Sequence, residues 1–348
     1  MKKYLLPQNG HFYKASLHVH TTVSDGGMTP EELKEAYRKE GYSIVAFTDH
    51  EALVPHNDLT DEQFLAITSY EIATNEPAHS GGFEYVRTYH MNLYAKDKNK
   101  STSRVFTMSR LWPPHAEAYL SEEMKSIDFH REYRVESIQS VISAANEDGF
   151  LVSLNHPNWS LQRYEDYAEL KGLWGVEFYN THCVHCGFPD TIQPMDDLLA
   201  KGERVFPLAT DDTHSGLDTL DDCFGGFTMI KAESLDYGLV MEALEKGDFY
   251  SSSGPLIHEL YLEDGVLYVT TSEAVAIELI TERRYRGRQT APKDGFLTGA
   301  AFNIKDYLDN GIHRTETDLL PYFRITVTDR NGEKAHTRAY FEEDWTSK

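Results

Sequence analysis

Histidine beside carboxylate is the ligand set of zinc, iron and manganese ions. This 348-residue chain carries 16 histidines against a background of 56 acidic residues. They recur at the ends of apolar runs. His18-Val19-His20 closes the first run, and alternate residues of a strand share a face, so both imidazoles point toward one site. Asp25 follows in Ser24-Asp25-Gly26-Gly27, and Thr48-Asp49-His50 ends the second run. Later runs carry Glu71 and His90, Phe150–Asn155 leads straight into His156, and Arg204–Thr210 ends in Asp211-Asp212-Thr213-His214. A single His-x-His is more often an ordinary pair of surface or core histidines. Several strands ending in such ligands are improbable by chance, and buried carboxylates without a cation would be costly. The pattern predicts a multinuclear metal site.

The elements that position these residues alternate between short β-rich runs and amphipathic helices. Tyr13–His20 reads as a strand, and Thr29-Pro30-Glu31-Glu32 opens a helix with Thr29 as N-cap and Glu32 completing a capping box. Gly41 stops that helix, and Ser43–Thr48 is the next buried strand. The unit repeats as helix Val135–Asp148 and strand Phe150–Asn155. Strands at Trp174–Tyr179 and Arg204–Thr210 follow, with helices at Asp190–Ala200 and Tyr237–Lys246. Such alternation predicts an α/β fold with a parallel sheet, in which about seven units could close into a barrel with ligands at the carboxyl ends of its strands. Residues 96–134 break the rhythm and read as an insertion over one face. After Gly254-Pro255, the Asp264-Gly265 and Asn331-Gly332 turns each sit between β-rich runs, so residues 255–348 read as a small, mainly antiparallel, sandwich-like β domain.

Composition narrows the partners. Lys and Arg number 33, for a net charge of −23. A surface that acidic repels polyphosphate, which argues against nucleic acid and anionic membrane unless a basic patch is concentrated locally. Three cysteines cannot form a disulfide framework, the N-terminus has no signal-peptide core, and no apolar run approaches a membrane span. The expected location is cytoplasmic.

The set His18-Val19-His20-Thr21-Thr22-Val23-Ser24-Asp25-Gly26, Thr48-Asp49-His50, Tyr70-Glu71-Ile72, His90, Asn155-His156-Pro157, Val176-Glu177-Phe178-Tyr179-Asn180 and Asp212-Thr213-His214 resembles the motifs of the PHP (polymerase and histidinol phosphatase) superfamily over about residues 12–255. The resemblance implies a distorted (β/α)7 barrel, here residues 1–254, holding two or three divalent ions such as Zn, Fe or Mn. Carried over by position, the ligands are His18, His20, Asp25, His50, Glu71, His90, His156, Asp212 and His214; the family's Asp-x-His spacing selects Asp212 over Asp211. Leu244–Pro255 is similar to the junction of two-domain members.

Closely spaced divalent cations lower the pKa of a bridging water toward neutrality and neutralise phosphoryl oxygens as charge shifts. Glu71 is the expected bridging carboxylate, and hydrolysis of a small phosphate ester, a monoester or nucleotide, is the expected reaction. His182 is the candidate general acid, Asp49 a candidate partner for a ligand histidine, and Arg104, Arg110, Arg131 and Arg134 are candidates to grip the substrate phosphate. The His182-Cys183-Val184-His185-Cys186 run lacks a second cysteine pair and reads as a loop near the active face. Two other readings stay open: cleavage of a C–O or C–N ester or carbamate bond by the same metals, and a non-catalytic binding module. A complete ligand set argues against the last.

Overall fold

A computed structural model describes residues 2–77, 86–305, 307–308 and 321–345. The expected rhythm is there. Strand β1 (Lys3–Tyr4) precedes β2 (His11–Val19), and a helix at Pro30–Lys39 leads to β3 (Ile44–Phe47). That helix starts as its sequence dictates: Thr29 Oγ1 accepts from the Glu32 amide at 3.2 Å, and Glu32 accepts from the Thr29 amide at 2.9 Å. Strands β4 (Leu65–Asn75), β5 (Thr88–Ala95), β6 (Phe150–Leu154), β7 (Gly175–Asn180), β8 (Phe206–Thr210), β9 (Phe227–Ala232) and β10 (Phe249–Ser252) follow. Helices occupy Val135–Glu147, Gln193–Ala200 and Tyr237–Lys246 among them.

Strands β2, β3 and β4 are parallel neighbours, as are β6, β7 and β8. Their runs of buried Ile, Val, Leu and Phe are those of a sheet covered on both faces. The fold is α/β with one large, curved sheet. Beyond β8 the chain returns to the end of β2: the Asp212 amide donates to the His18 carbonyl at 2.9 Å, and the His20 amide to that of Thr213 at 3.0 Å. The sheet therefore curls until its first and last parallel strands meet, at the end where the histidines lie.

The chain departs from strict alternation at β5, which runs antiparallel to both β4 and β6. His90, expected at the carboxyl end of a strand, is instead the third residue of β5. Reversal of the strand brings that amino end to the same edge of the sheet as Glu71. The insertion accordingly begins at the opposite end, where the Lys96 amide bonds the Gly149 carbonyl at 2.9 Å, and must climb back to the ligand end.

The later strands are β11 (Ile257–Glu263), β12 (Val266–Ala274), β13 (Ala276–Thr281), β14 (Gly287–Thr290), β15 (Leu297–Asn303), β16 (Tyr322–Thr328), β17 (Lys334–Thr337) and β18 (Tyr340–Phe341), and their pairings with one another are antiparallel. Both expected turns join paired strands, Glu263 opposite Val266 and Thr328 opposite Lys334. Two sheets form. One is β1-β11-β12-β15; the other runs β14-β13-β16-β17-β10-β9-β2 and on to β8, with β18 on β16, so the antiparallel strands continue the large sheet through the β10–β17 pair. A core of Leu260, Leu267, Val269, Ile277, Phe323 and Ile325 fills the space under them. Among the described residues no helix is long and apolar enough to cross a membrane.

Candidate metal centre

All nine expected ligands converge at the curled end of the sheet. His18 and His20, two apart on β2, are fully buried and share a face, with their Nε2 atoms 3.2 Å apart. Asp212 Oδ1 lies 3.1 Å from His18 Nε2 and 3.0 Å from His20 Nε2. Glu71, on β4, stands in the middle. Its Oε1 faces His90 Nδ1 at 3.2 Å, His18 Nε2 at 3.4 Å and His156 Nε2 at 3.6 Å. Its Oε2 faces His50 Nδ1 at 3.0 Å and His20 Nε2 at 3.5 Å. Asp25 completes the outer side, 3.7 Å from His20 and His50 and 3.6 Å from His214. Gly26 follows it because nothing larger fits: a Cβ there would lie 2.2 Å from the His20 carbonyl oxygen.

Surrounding groups aim these side chains. His18 Nδ1–H donates to Glu177 Oε1 at 2.7 Å, which turns a bare Nε2 toward the cluster. Glu177 also accepts from the His156 amide at 2.9 Å and Thr210 Oγ1 at 2.8 Å. Asn155 donates to Glu71 Oε1 at 2.7 Å, and Asn180 links Glu177 to Asp212 with two bonds of 3.1 Å. His214 Nδ1–H is held by the Asp212 carbonyl at 2.8 Å, leaving Nε2 for Asp25. Two of the expected ligands adopt backbone conformations that L-residues seldom take, His156 at φ 28° and Asp212 at φ 58°. Such strain persists only where the surroundings impose it.

The cluster demands positive charge. Burial would raise the Glu71 and Asp212 carboxyls, but the facing histidines outweigh it and hold both well below the usual carboxylate range. The carboxylates in turn outweigh burial at His50, raised to about 9, and at His18, raised well above its ordinary value. Burial and the neighbouring His214 and His50 push His20 down to about 3. His20 Nδ1 and Glu71 Oε2 are buried without a hydrogen-bond partner. Imidazole lone pairs converging on carboxylates, with polar atoms left over, fit divalent cations with mixed N and O ligation. Subsets such as His20, Asp25, His50 and His214, or His50, Glu71 and His90, bring one donor atom each within 4.8 Å of the others.

Not every expected role is met. Asp49 touches no ligand histidine; it accepts from Thr21 at 2.8 and 2.9 Å and from Ser24 at 2.7 and 3.1 Å, and so braces the loop that carries Asp25. Asp211 faces away, accepting from Thr181 at 2.7 Å, Tyr37 at 2.9 Å and the amides of Gly225 and Gly226. Among the arginines, Arg104 lies at the far end beside Asp148, and exposed Arg134 pairs with Glu132 at 2.7 Å. Arg131 is buried against Glu51, with both carboxylate oxygens 2.8 Å away. Each of the three is thus paired with a carboxylate, and none of them lines the cavity above the cluster.

Arg110 does line the cavity above the cluster, a space of about 600 Å³ walled also by Trp112, Trp159 and His182. His182 Nδ1–H donates to Asp222 Oδ2 at 3.0 Å, the same carboxylate that accepts from the His214 amide at 2.9 Å. The sequence carried no signal for Asp222, because its partners lie on other segments. Asn155 and Asn180 could have been found inside the motifs that hold His156 and Glu177. The helix Thr181–His185 replaces the loop expected there, with Cys183 buried and Cys186 exposed.

Residues 16–174 match the family model of the PHP domain. None of the curated proteins compared with the chain matches it. Among solved structures, the chain is similar to a two-domain protein of Bacteroides vulgatus containing a predicted PHP-like metal-dependent phosphoesterase, at 14% identity and TM-score 0.45 over 97% of this chain and 98% of that one. It is also similar to a protein of Bifidobacterium adolescentis inferred to be a metal-dependent phosphoesterase (17% identity, TM-score 0.36, 63% of this chain and 98% of that one). An amidohydrolase of Chromobacterium violaceum, with bound sulfate and no metal, matches at 12% identity and TM-score 0.35 over 59% of this chain and 88% of that one.

Proposed function

Given a PHP domain over residues 16–174, we propose that the chain is a metal-dependent phosphoesterase acting on a small phosphate ester, a monoester or nucleotide. The observation that carries the reading is Glu71, whose two oxygens face different histidine groups, so that one carboxylate can serve two cations. Two or three divalent ions of the Zn, Fe or Mn type, held by His18, His20, Asp25, His50, Glu71, His90, His156, Asp212 and His214, would supply a nucleophile at neutral pH and offset the charge on the phosphoryl oxygens.

The chain's own groups do the rest. Glu177 fixes the His18 tautomer. His182 lines the cavity, pinned through Nδ1 by Asp222 with Nε2 3.7 Å from the exposed Cys186 Sγ, and holds the proton for the departing oxygen. The walls formed by Arg110, Trp112 and Trp159 suit a small ligand, since 600 Å³ is an ordinary size for a metabolite site. We assign the chemistry to residues 1–254 and a supporting role to the β domain of residues 255–348.

The test is direct. Protein purified without added metal should contain two or three equivalents of divalent ion; under one equivalent would count heavily against the reading. The metal-loaded protein should hydrolyse a monoester over single-stranded DNA by on the order of a hundredfold in kcat/KM. A preference for DNA, or no turnover across a phosphate-ester panel, would overturn it.

A further inference from the structure

Arg110 is the exception among the arginines set into this fold. Arg87, Arg131, Arg324 and Arg338 each meet a carboxylate at 2.8–3.0 Å. Arg110 is half-buried on the cavity wall, and among the described residues no carboxylate pairs with it. Its one hydrogen bond among the described residues runs from Nη2 to the Arg131 carbonyl at 2.8 Å. Burial and the nearby Arg131 charge disfavour the Arg110 cation more than the Glu51 carboxylate, itself engaged by Arg131, favours it, yet a guanidinium keeps its proton. In a chain with 56 acidic residues, a guanidinium that lines a cavity without a directly paired carboxylate keeps its fork of donors open to an anionic ligand.

The position is held firmly. Arg131, whose carbonyl anchors Arg110, is locked by Glu51. Glu51 in turn receives the Ala73 amide on Oε1 at 3.0 Å and donates its own amide to the Glu71 carbonyl at 2.7 Å. The guanidinium is thus tied by hydrogen bonds to the strand that carries the central ligand. A cavity of about 600 Å³ also exceeds what one phosphoryl group fills, and Trp112 and Trp159 offer flat apolar wall to whatever occupies the remainder.

We propose that Arg110 receives a second anionic group of the substrate, so that the ester hydrolysed here is charged at both ends. The scissile phosphate lies at the metal cluster, a carboxylate or second phosphate lies on Arg110, and the body lies between. This rests on the phosphoesterase reading but goes beyond it, because it fixes the substrate class by a residue that is not a ligand. Bidentate pairing of guanidinium with a carboxylate or phosphate is the recognition chemistry.

The experiment compares phenyl phosphate, 4-carboxyphenyl phosphate and 1,4-phenylene bisphosphate on the metal-loaded wild type, Arg110→Gln and Arg110→Lys. The wild type should favour one or both doubly anionic esters by at least tenfold in kcat/KM, and whichever leads identifies the second group. Arg110→Gln should lose at least ten times more on that ester than on phenyl phosphate, with the loss in KM. Arg110→Lys should recover part of it as a point charge. Absence of a wild-type preference, or equal losses on all three esters, would overturn the proposal. If no ester turns over, the phosphoesterase reading fails by itself. Tryptophan fluorescence titrations with benzylphosphonate and 4-carboxybenzylphosphonate still decide on Arg110: preference for the carboxylated ligand that Arg110→Gln abolishes supports the second-anion site, and equal binding sinks it.

Discussion

Asp211 and Asp212 are adjacent in the chain, yet their carboxylates serve opposite sides of the sheet end: Asp212 lies 3.0 Å from His20 in the cluster, while Asp211 gathers donors from Thr181, Tyr37 and two backbone amides beneath it. The facing alternates along this stretch, since Thr210 also meets Glu177 on the cluster side. Asp212→Asn should therefore lower bound metal and turnover while leaving the fold intact. Asp211→Asn should keep the metal and destabilise the fold by about 2–3 kcal/mol, because buried donors lose a charged acceptor. Elemental analysis and urea unfolding of the two variants check both halves; metal loss in Asp211→Asn would reverse the assignment.

Glu177 would act on a bound metal through His18, whose Nδ1 it holds at 2.7 Å. Glu177→Gln keeps the shape but replaces a charged acceptor for His18 Nδ1–H with a neutral amide. Metal affinity should fall about 10–100-fold. Competition with a chelator measures it, and an unchanged affinity would mean that Glu177 is only a packing group.

His182 is tested by its dependence on the leaving group. His182→Ala should slow an alkyl phosphate by about 10²–10⁴-fold, but a p-nitrophenyl ester, whose leaving oxygen needs no proton, by far less. Equal losses on the two substrates would remove His182 from the role of general acid.

His336, on β17, should make the fold sensitive to acid. It is buried against Phe178, with ring centroids 4.5 Å apart, and accepts from Thr326 Oγ1 at 2.9 Å. Burial, with the charges of Arg324 and Lys334, pushes its pKa well below the ordinary value, so it stays neutral in the folded state. The unfolded chain takes up a proton there below about pH 6.5. Stability from this group is thus full above that pH and is lost as pH falls, by about 1 kcal/mol over the first unit below it. His336→Gln should flatten that slope in urea titrations at pH 7, 6.5 and 5.5.

The expected ligands were legible because most of them interrupt an apolar strand or follow closely on its end, and strand alternation says which residues share a face. Facing is local information; direction is not. That His90 sits on a reversed strand depends on how β5 pairs, which residues 88–95 do not encode by themselves. The pairing of the arginines was hidden for a similar reason: Asp148, Glu132 and Glu51 partner three of the four, and for Arg104 and Arg131 that partner is remote in sequence. Asp49 was visible as a polar residue beside a ligand, but only the fold shows that its partners are Thr21 and Ser24. The helix with a capping box at Thr29 and the two hairpin turns came through because their signals are complete within four residues.

The pairing of β1 with β11 ties the order of folding to the order of synthesis. Tyr4 lies opposite Tyr261, and Leu5 and Leu6 belong to the apolar core under the later strands. At about 5–20 residues per second, the ribosome needs on the order of ten to fifty seconds after making Lys3 before the strand that receives it exists. Until then two leucines and an unclaimed strand trail from the nascent chain, and the edge of β11 emerges open. The interval in which a neighbouring nascent copy can donate its own first strand is set by translation speed, whatever the stability of the finished fold.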